Sequence, residues 1–555
     1  MATSTHVRDA DSLADGRLFV AGGYIRADGR TSWLPDSALG WQPANCYALL
    51  DQDRCVLIDT GVAAHAELVV EQLQAVVPTG VPLSIFLTRA ELDCIGNVGP
   101  ISERLEVEGV FAGGNTNPFD AFDAVESARA TVRVHVGKRT GAAPIALSES
   151  RSLEVLDAPL RLLATYWVFD AATGTLFTSD SFGHQLVDST DSRRVVTDDD
   201  ECVPHVVEQY LLAKFGWIAE ADTTPVRAAL EAVFANRKVE IIAPTNGCAI
   251  VGRAAVAAHY EAVQGVLARL SRPRPARGPE PELASAPRGG APKTHALPRL
   301  LAPGVTWLGD CLKRKEGDVP VHVHASCYLV EGGRETLMVD TGHPTHWPQV
   351  EAELDHLLDG RDLDWVFPTH PELPHAGNLN RLLAKFPQAR VTGDVRDYPL
   401  YCPEYVERLV HRPAGSELDL GGRSIVFLEA PIRDLPSTQW AYESSGRILF
   451  VADAFGYTHG GIGGDGDEPV HLPGECGLLS TELPAPPTVG QTAFLTRAAL
   501  FWSRYVDVAP HFAKVEALLE RYPAELIAPA HGNVISDLDA LLPILRAAHR
   551  AVLVT

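Results

Sequence analysis

Residues 369–378 read THPELPHAGN, and the interpretation of the whole chain depends on this stretch. It follows an apolar run, WVF at 365–367, which predicts a buried strand. Two imidazoles, His370 and His375, and one carboxylate, Glu372, therefore lie on a predicted turn from a strand to a helix. Imidazole and carboxylate groups together are ligands of zinc or iron, and a carboxylate-rich set favours iron. Taken alone, the stretch is also consistent with a polar surface loop.

The same series of motifs occurs twice along the chain. Residues 55–61 (CVLIDTG) and 336–342 (TLMVDTG) both predict a strand that ends in Asp-Thr-Gly. The stretch at 369–378 has a counterpart at 88–97 (TRAELDCIGN), which contains no histidine. Two later pairs also match: 176–183 (LFTSDSFG) with 449–456 (LFVADAFG), and 242–247 (IAPTNG) with 527–532 (IAPAHG). Because the motifs recur in the same order, they indicate a tandem duplication.

The length of the chain also predicts more than one domain, since 555 residues exceed what one hydrophobic core usually supports. Between the two copies, residues 271–298 are rich in Pro, Arg, Ala and Gly, a composition typical of an extended linker. We therefore predict a first copy at 1–270, a linker at 271–298 and a second copy at 299–555.

Composition narrows the classes of partner and the cellular location. The formal net charge of -24 argues against nucleic acid or an anionic membrane as the main partner. The nine cysteines are dispersed without a CxxC pair, which is typical of reduced thiols in a cytosol. The sequence shows neither a signal-peptide pattern nor an apolar run of about 18 residues. We therefore expect a cytoplasmic protein that does not span a membrane.

The recurring motifs resemble the metallo-β-lactamase superfamily: a strand ending in Asp-Thr-Gly, a histidine-rich turn, a later strand followed by Asp, and a final Pro-x-His-Gly. This resemblance implies an α/β fold of two tandem αββα sandwiches, each with a site for one or two metal ions. We expect the two sandwiches to pack as a pseudo-dimer. The second copy is most similar to flavodiiron and related oxygen-binding proteins, whose turn reads His-x-Glu-x-Asp-His. Hydrolases of the superfamily have histidine where this chain has Glu372.

The resemblance implies a set of metal ligands in the second copy: His370, Glu372, His375, Asp434, Asp453 and His531. Asp453 would bridge two metal ions. Asp434 stands where the flavodiiron proteins have a further histidine, and its carboxylate is still a competent ligand. Pro374 stands where they have an aspartate and cannot ligate, so occupancy of the second metal position stays open. Since these family members carry FMN in a flavodoxin-like domain that this chain lacks, we do not expect FMN within it.

The first copy has no histidine at the corresponding positions, which are Arg89, Glu91, Asp93, Cys94, Leu162, Asp180 and Asn246. Arg89 between Glu91 and Asp180 would replace the lost metal with the charge of its own guanidinium. A residual metal site at Asp93, Cys94 and Asp180 is the alternative. We expect the metal in the second copy only, with the first copy as a structural partner or a wall of the substrate cleft.

The leading functional hypothesis is an iron-dependent oxidoreductase with two iron ions that binds and reduces O2. It would act as a monooxygenase or hydroxylase, or as an oxygen-binding protein, and zinc or manganese is the alternative metal. A small-molecule substrate, a separate reductase and a carrier protein are the partners that this hypothesis implies, and an oligomer stays open. The first alternative is a metal-dependent hydrolase of a thioester or lactone, which Pro374 weakens because hydrolases need an aspartate there. The second alternative is a non-enzymatic sensor or scaffold.

Overall fold

The computed structural model describes residues 10–552, apart from 114–116, 122–131, 137–144, 149–150, 274–292, 317–318 and 459–473. The chain divides into two compact units. Unit 1 comprises Met1–Pro273 with Pro399–Pro403, and unit 2 comprises Arg274–Tyr398 with Glu404–Thr555. Most of the predicted linker at 271–298 lies outside the described residues. Within the described residues, no helix has the length and apolar character that crossing a membrane requires.

In its described part, unit 1 forms two seven-stranded sheets. The first sheet has its strands in chain order: β1 (Asp11–Ser12), β2 (Leu18–Ala27), β3 (Gly40–Asp51), β4 (Arg54–Ile58), β5 (Leu83–Phe86), β6 (Val107–Ala112) and β7 (Arg133–Val136). The second sheet has the order β12-β14-β13-β11-β10-β9-β8, and its strands are β8 (Ile145–Ala146), β9 (Ser152–Asp157), β10 (Tyr166–Asp170), β11 (Thr175–Ser179), β12 (Val195–Val196), β13 (Ile241–Pro244) and β14 (Ala249–Val251).

The helices of unit 1 flank these sheets: α1 (Ala66–Val76), α2 (Leu92–Ile95), α3 (Val98–Arg104), α4 (Pro204–Lys214), α5 (Thr224–Ala235) and α6 (Arg253–Leu270). Helix α1 packs against β2, and α6 packs against β13 and β14. Between the sheets, Tyr47, Ile58 and Phe177 are buried in one apolar core. The layers are therefore helix, sheet, sheet and helix, as predicted.

Unit 2 repeats this arrangement in its described part. One seven-stranded sheet again has its strands in chain order: β15 (Arg299–Ala302), β16 (Val305–Glu316), β17 (Val319–Glu331), β18 (Thr336–Val339), β19 (Trp365–Phe367), β20 (Arg390–Gly393) and β21 (Leu409–His411). A five-stranded sheet also follows chain order: β22 (Glu417–Asp419), β23 (Ser424–Glu429), β24 (Gln439–Glu443), β25 (Ile448–Phe450) and β26 (Leu526–Ala528). The helices are α7 (Trp347–Leu358), α8 (Leu373–Ala376), α9 (Leu379–Lys385), α11 (Val489–Ala499), α12 (Ala509–Arg521) and α13 (Leu538–Ala551). Helix α10 (Tyr398–Tyr401) begins at the last residue of this part of unit 2, and its other residues belong to unit 1.

The backbone confirms the tandem duplication at its most unusual positions. A positive φ is uncommon for residues other than glycine. Asp59 and Asp340, the aspartates of the two Asp-Thr-Gly motifs, have φ of 57° and 55°. Ser179 and Ala452, each one residue before a predicted site aspartate, have φ of 52° and 50°. The same left-handed turns therefore recur at matching points of both copies. How the copies pack, and where their domain boundaries lie, stay predictions.

Candidate metal centre in unit 2

The histidine-rich turn begins at the end of a buried strand. All residues of β19 are buried, because the strand lies between two parallel neighbours, β18 and β20. The backbone N–H of Thr369 then donates to the Asp340 carboxylate at 2.7 Å. Glu372 has an extended backbone and directly precedes the short helix α8, which carries His375. The turn therefore presents His370, Glu372 and His375 on the same side of the chain.

The six residues predicted from the sequence come together in unit 2. One ligand atom each from His370, Glu372, His375 and Asp453 lie within 4.8 Å of one another. The remaining two predicted residues adjoin this group. Asp434 Oδ2 is 3.1 Å from His370 Nε2, and His531 Nε2 is 3.6 Å from Asp453 Oδ1. The structure thus brings all six side chains to one point, while their role as ligands stays a prediction.

Two atoms at this point are placed as metal ligands would be. His375 Nε2 and Asp453 Oδ1 are buried and 3.0 Å apart, yet they lack the alignment of a hydrogen bond with each other or with any other described residue. Buried polar atoms nearly always have a hydrogen-bond partner. A cation between the two atoms would satisfy both of them. The donor set therefore fits a bound metal ion on its own geometry.

Neighbouring groups orient these side chains through their other polar atoms. His375 Nδ1 lies 3.0 Å from Asp340 Oδ2, and His531 Nδ1 donates to the carbonyl of His324 at 2.7 Å. In each ring the Nε2 atom is thereby directed toward Asp453. A hydrogen bond on the outer nitrogen is typical of metal-binding histidines, because it fixes the tautomer and the ring orientation. Asp340 was not predicted as part of the site, although the recurrence of Asp-Thr-Gly was the signal for it.

Asp434 lies in this site and not at the surface. Its side chain is buried, and its Oδ1 atom accepts hydrogen bonds from Thr438 Oγ1 at 2.6 Å and from the Leu435 N–H at 2.8 Å. The Oδ2 atom faces His370. The neighbouring Arg433 points elsewhere, with its guanidinium 3.7 Å from Glu429.

Two ring N–H groups fix the loop that carries Asp434. Trp502 Nε1 donates to the carbonyl of Arg433 at 2.7 Å. His511 Nδ1 donates to the carbonyl of Pro431 at 2.9 Å. Neither Trp502 nor His511 was predicted from the sequence, because both lie in helical segments with no motif of their own.

Electrostatics in the site favour charged groups despite burial. Burial alone would lower the pKa of His370, but the nearby carboxylates, Asp434 foremost, raise it well above its usual value. Burial and His370 lower the pKa of His375, while Asp340 and Asp453 raise it, with a net value of about 9. Burial would raise the pKa of Asp453, but its histidine neighbours lower it below the usual range. Without a metal, His370 and His375 therefore hold protons beside an ionised Asp453, so a metal would bind there by displacing protons.

The corresponding positions of unit 1 hold side-chain cations. Arg89 is fully buried, with its guanidinium 3.3 Å from Glu91 and 3.1 Å from Asp180, as predicted, and it also contacts Asp93. Lys214, at the end of α4, places its ammonium 2.6 Å from Asp180 and was not predicted. Burial and the neighbouring carboxylates raise the pKa of Glu91 to about 8, although Arg89 lowers it. At pH 7 two cations therefore face two carboxylates, because Glu91 is neutral.

This pairing argues against the alternative of a residual metal site in unit 1. Asp93 and Asp180, two of its three predicted ligands, are already in contact with Arg89. Asn246 Nδ2 also donates to Asp93 at 3.2 Å. The third, Cys94, is fully buried, and its Sγ atom lies 3.9 Å from Thr88 Oγ1.

Comparison with known proteins agrees with this fold. Residues 321–531 match the family model of the metallo-beta-lactamase superfamily. The chain is 27% identical over 270 residues to the coenzyme F420H2 oxidase of Methanothermobacter marburgensis, covering 44% of this chain and 59% of that protein. It is 28% identical over 229 residues to the anaerobic nitric oxide reductase flavorubredoxin of Aliivibrio salmonicida, covering 38% of this chain and 39% of that one. The chain thus spans less than two thirds of these relatives.

A solved structure also aligns with less than half of this chain. Rubredoxin oxygen:oxidoreductase from Desulfovibrio gigas aligns with 45% of this chain and 60% of its own, at 19% identity and a TM-score of 0.36. The sequence relatives are flavodiiron proteins and oxidoreductases. The resemblance of the second copy to the flavodiiron proteins, predicted from Glu372 and its neighbours, is confirmed.

Proposed function

We propose that unit 2 binds two iron ions and that the protein is a diiron oxidoreductase acting on O2. One observation carries the proposal: three carboxylates and three imidazoles converge, with the buried His375 Nε2 and Asp453 Oδ1 held 3.0 Å apart without hydrogen-bond alignment. Carboxylate oxygens are hard donors, and zinc sites more often contain soft sulfur donors. This oxygen-rich set therefore favours iron over zinc. The names of the relatives add support, since they are an oxidase and a nitric oxide reductase.

The residues divide between two metal positions. His370, Glu372 and Asp434 would hold the first ion, and His375 with His531 would hold the second. Asp453 would bridge the two ions. The second position has fewer protein donors, because Pro374 offers none. A second ion would therefore be held by fewer protein ligands than the first.

Bound iron would supply the one-electron redox steps that the amino-acid side chains cannot. The chain itself supplies orientation and protons. His375 and His531 are fixed by Asp340 and by the His324 carbonyl, so the geometry of the second position is set before any ligand binds. Burial of His370, His375 and Asp434 limits the access of water to this point. Substrate size follows from this, since a buried point among six side chains favours a diatomic molecule.

The proposal also covers the electron donor, the reaction product and the cellular location. The electrons would come from a separate reductase. Transfer of an oxygen atom to a small molecule, free or held on a carrier protein, would make the protein a monooxygenase, and full reduction to water would make it an oxidase. Nitric oxide is the alternative diatomic substrate. We retain the predicted cytoplasmic location, which the nine free cysteine thiols support.

The test is metal quantitation with spectroscopy on protein purified from iron-supplemented cells. We expect about two iron ions per chain and an absorption band of an iron centre. His375→Ala should abolish the band and most of the iron. His356→Ala is the matched control, because His356 lies in unit 2 on the exposed surface of α7. Zinc in place of iron, lost in His375→Ala, would favour the hydrolase instead, and protein without metal at this site would favour the sensor or scaffold.

A further inference from the structure

A second group of metal-binding side chains lies in unit 1 and shares no residue with the Arg89 cluster. It consists of His184, Cys202 and His259, and one ligand atom of each lies within 4.8 Å of the others. His184 follows β11, Cys202 precedes α4, and His259 lies on the buried face of α6. These residues are not at the family's metal positions. Three separate segments of unit 1 therefore bring two imidazoles and a thiol to one point.

The two imidazoles do not satisfy each other. Their facing atoms, His184 Nε2 and His259 Nδ1, are 2.7 Å apart, so one of them donates and the other accepts. The outer atoms, His184 Nδ1 and His259 Nε2, are buried and have no hydrogen-bond partner among the described residues. Two neutral rings carry two N–H groups, and only one is used between them. Whichever ring donates, one buried N–H and one buried lone pair are left over, which is uncommon in a folded protein.

The burial of the cluster and its access to solvent both bear on metal binding. The rings of His184 and His259 are buried, so their nitrogens are shielded from competing water. Cys202 is only partly buried, which gives an ion a route to the cluster from solvent. Asp200 lies close enough to His259 to act on it electrostatically and offers a carboxylate nearby.

We propose that His184, Cys202 and His259 bind a zinc ion in unit 1. Two nitrogens and one thiolate sulfur are a set that zinc prefers, and three protein ligands leave the fourth tetrahedral position to water. The softer donors distinguish this site from the oxygen-rich site of unit 2, so the chain binds two different metals. The proposal departs from the sequence-based expectation that only the second copy binds metal. That expectation considered the family positions alone.

The test uses metal-free full-length protein and Co2+ as a spectroscopic probe for zinc. Cobalt bound to Cys202 should give a sulfur-to-cobalt charge-transfer band, and Zn2+ should displace it. Cys202→Ser should remove the band and weaken zinc binding at least tenfold while leaving the iron content of unit 2 unchanged. Cys311→Ser is the control for thiols outside the cluster, because Cys311 lies in unit 2 with its Sγ atom 2.9 Å from Cys476 Sγ, a pair that could bind cobalt itself. Absence of the band, or its persistence in Cys202→Ser, would overturn the proposal.

A second measurement avoids any change to the fold. Zn2+ should protect Cys202 from alkylation by iodoacetamide, as read from peptide mass spectrometry. Cys311 in the same sample should react at an unchanged rate. Equal rates at Cys202 with and without Zn2+ would also overturn the proposal. Neither result depends on iron, so failure here and failure of the diiron proposal are distinguishable.

Discussion

Units 1 and 2 place buried carboxylates at the same turns but neutralise them differently. In unit 2 the carboxylates Glu372, Asp434 and Asp453 face imidazoles, which are the proposed ligands of a metal. In unit 1 the carboxylates are met by Arg89 and Lys214, which are part of the chain. A buried charge is costly unless it is paired. The comparison indicates that buried carboxylates at these turns need a positively charged partner and that in unit 1 side chains supply it.

The largest effect is expected when the Arg89 guanidinium is removed from unit 1. Arg89→Ala would leave Asp93 and Asp180 with Lys214 alone, and loss of one partner of a buried pair typically costs about 3–5 kcal/mol. Hydrogen exchange of peptides from residues 88–97 and 176–183 measures this, since it separates unit 1 from unit 2. Arg30→Ala, whose side chain is 83% exposed, is the control. Equal exchange in both variants would contradict an essential ion pair.

Added iron should stabilise the site of unit 2 and leave that of unit 1 unchanged. Fe2+ added to metal-free protein should stabilise peptides from residues 369–378, by about 2.7 kcal/mol at a free concentration of about 100 times Kd. Peptides from residues 88–97 should be unaffected, because Arg89 already occupies that position. The measurement is again hydrogen exchange. Equal protection of both peptides would mean that the two sites do not differ in this way.

Asp434 tests which ligands define the iron site. Asp434→Ala removes a buried oxygen donor next to His370 and should lower iron affinity by about 10- to 100-fold, by analogy with losses around other metal sites. Asp434→His should still bind metal, because it restores the residue of the flavodiiron set. Iron titration measures both variants, and circular dichroism confirms that they are folded. If Asp434→Ala kept full iron and activity, Asp434 would not be a ligand.

The most gradual expected effect is a pH dependence from Glu91. Its pKa is raised to about 8 in the folded protein, against about 4.3 when unfolded. Between these values the folded state holds a proton that the unfolded state has lost, so stability falls as pH rises. The limiting slope is about 1.4 kcal/mol per pH unit. Glu91→Gln, which keeps the neutral shape, should flatten the dependence of unit 1 exchange between about pH 5 and 8. An unchanged slope would show that Glu91 is ionised.

The fold and the convergence of the six candidate residues could be predicted from the sequence, because both depend on motifs at fixed turns. His370, Glu372 and His375 are close in sequence, and Asp453 and His531 follow strands that match between the copies. Lys214 could not be predicted in the same way. It comes from the last turn of α4, and only the packing of that helix brings it to Asp180.

The same limit applies to residues that act through backbone atoms. Trp502 and His511 contact the carbonyls beside Asp434, and a carbonyl leaves no mark in the sequence. The cluster of His184, Cys202 and His259 was also missed, because its members are spread over separate segments and match no family motif.

Arg89 makes the charge balance of its turn in unit 1 independent of metal supply in the cell. A guanidinium carried by the chain has no dissociation constant, so its site is filled from the moment the turn forms. Dilution, competition between metals and changes in oxidation state cannot empty it. The charge balance of this turn in unit 1 is therefore independent of iron supply, while the corresponding turn of unit 2 would depend on it if unit 2 binds iron as proposed.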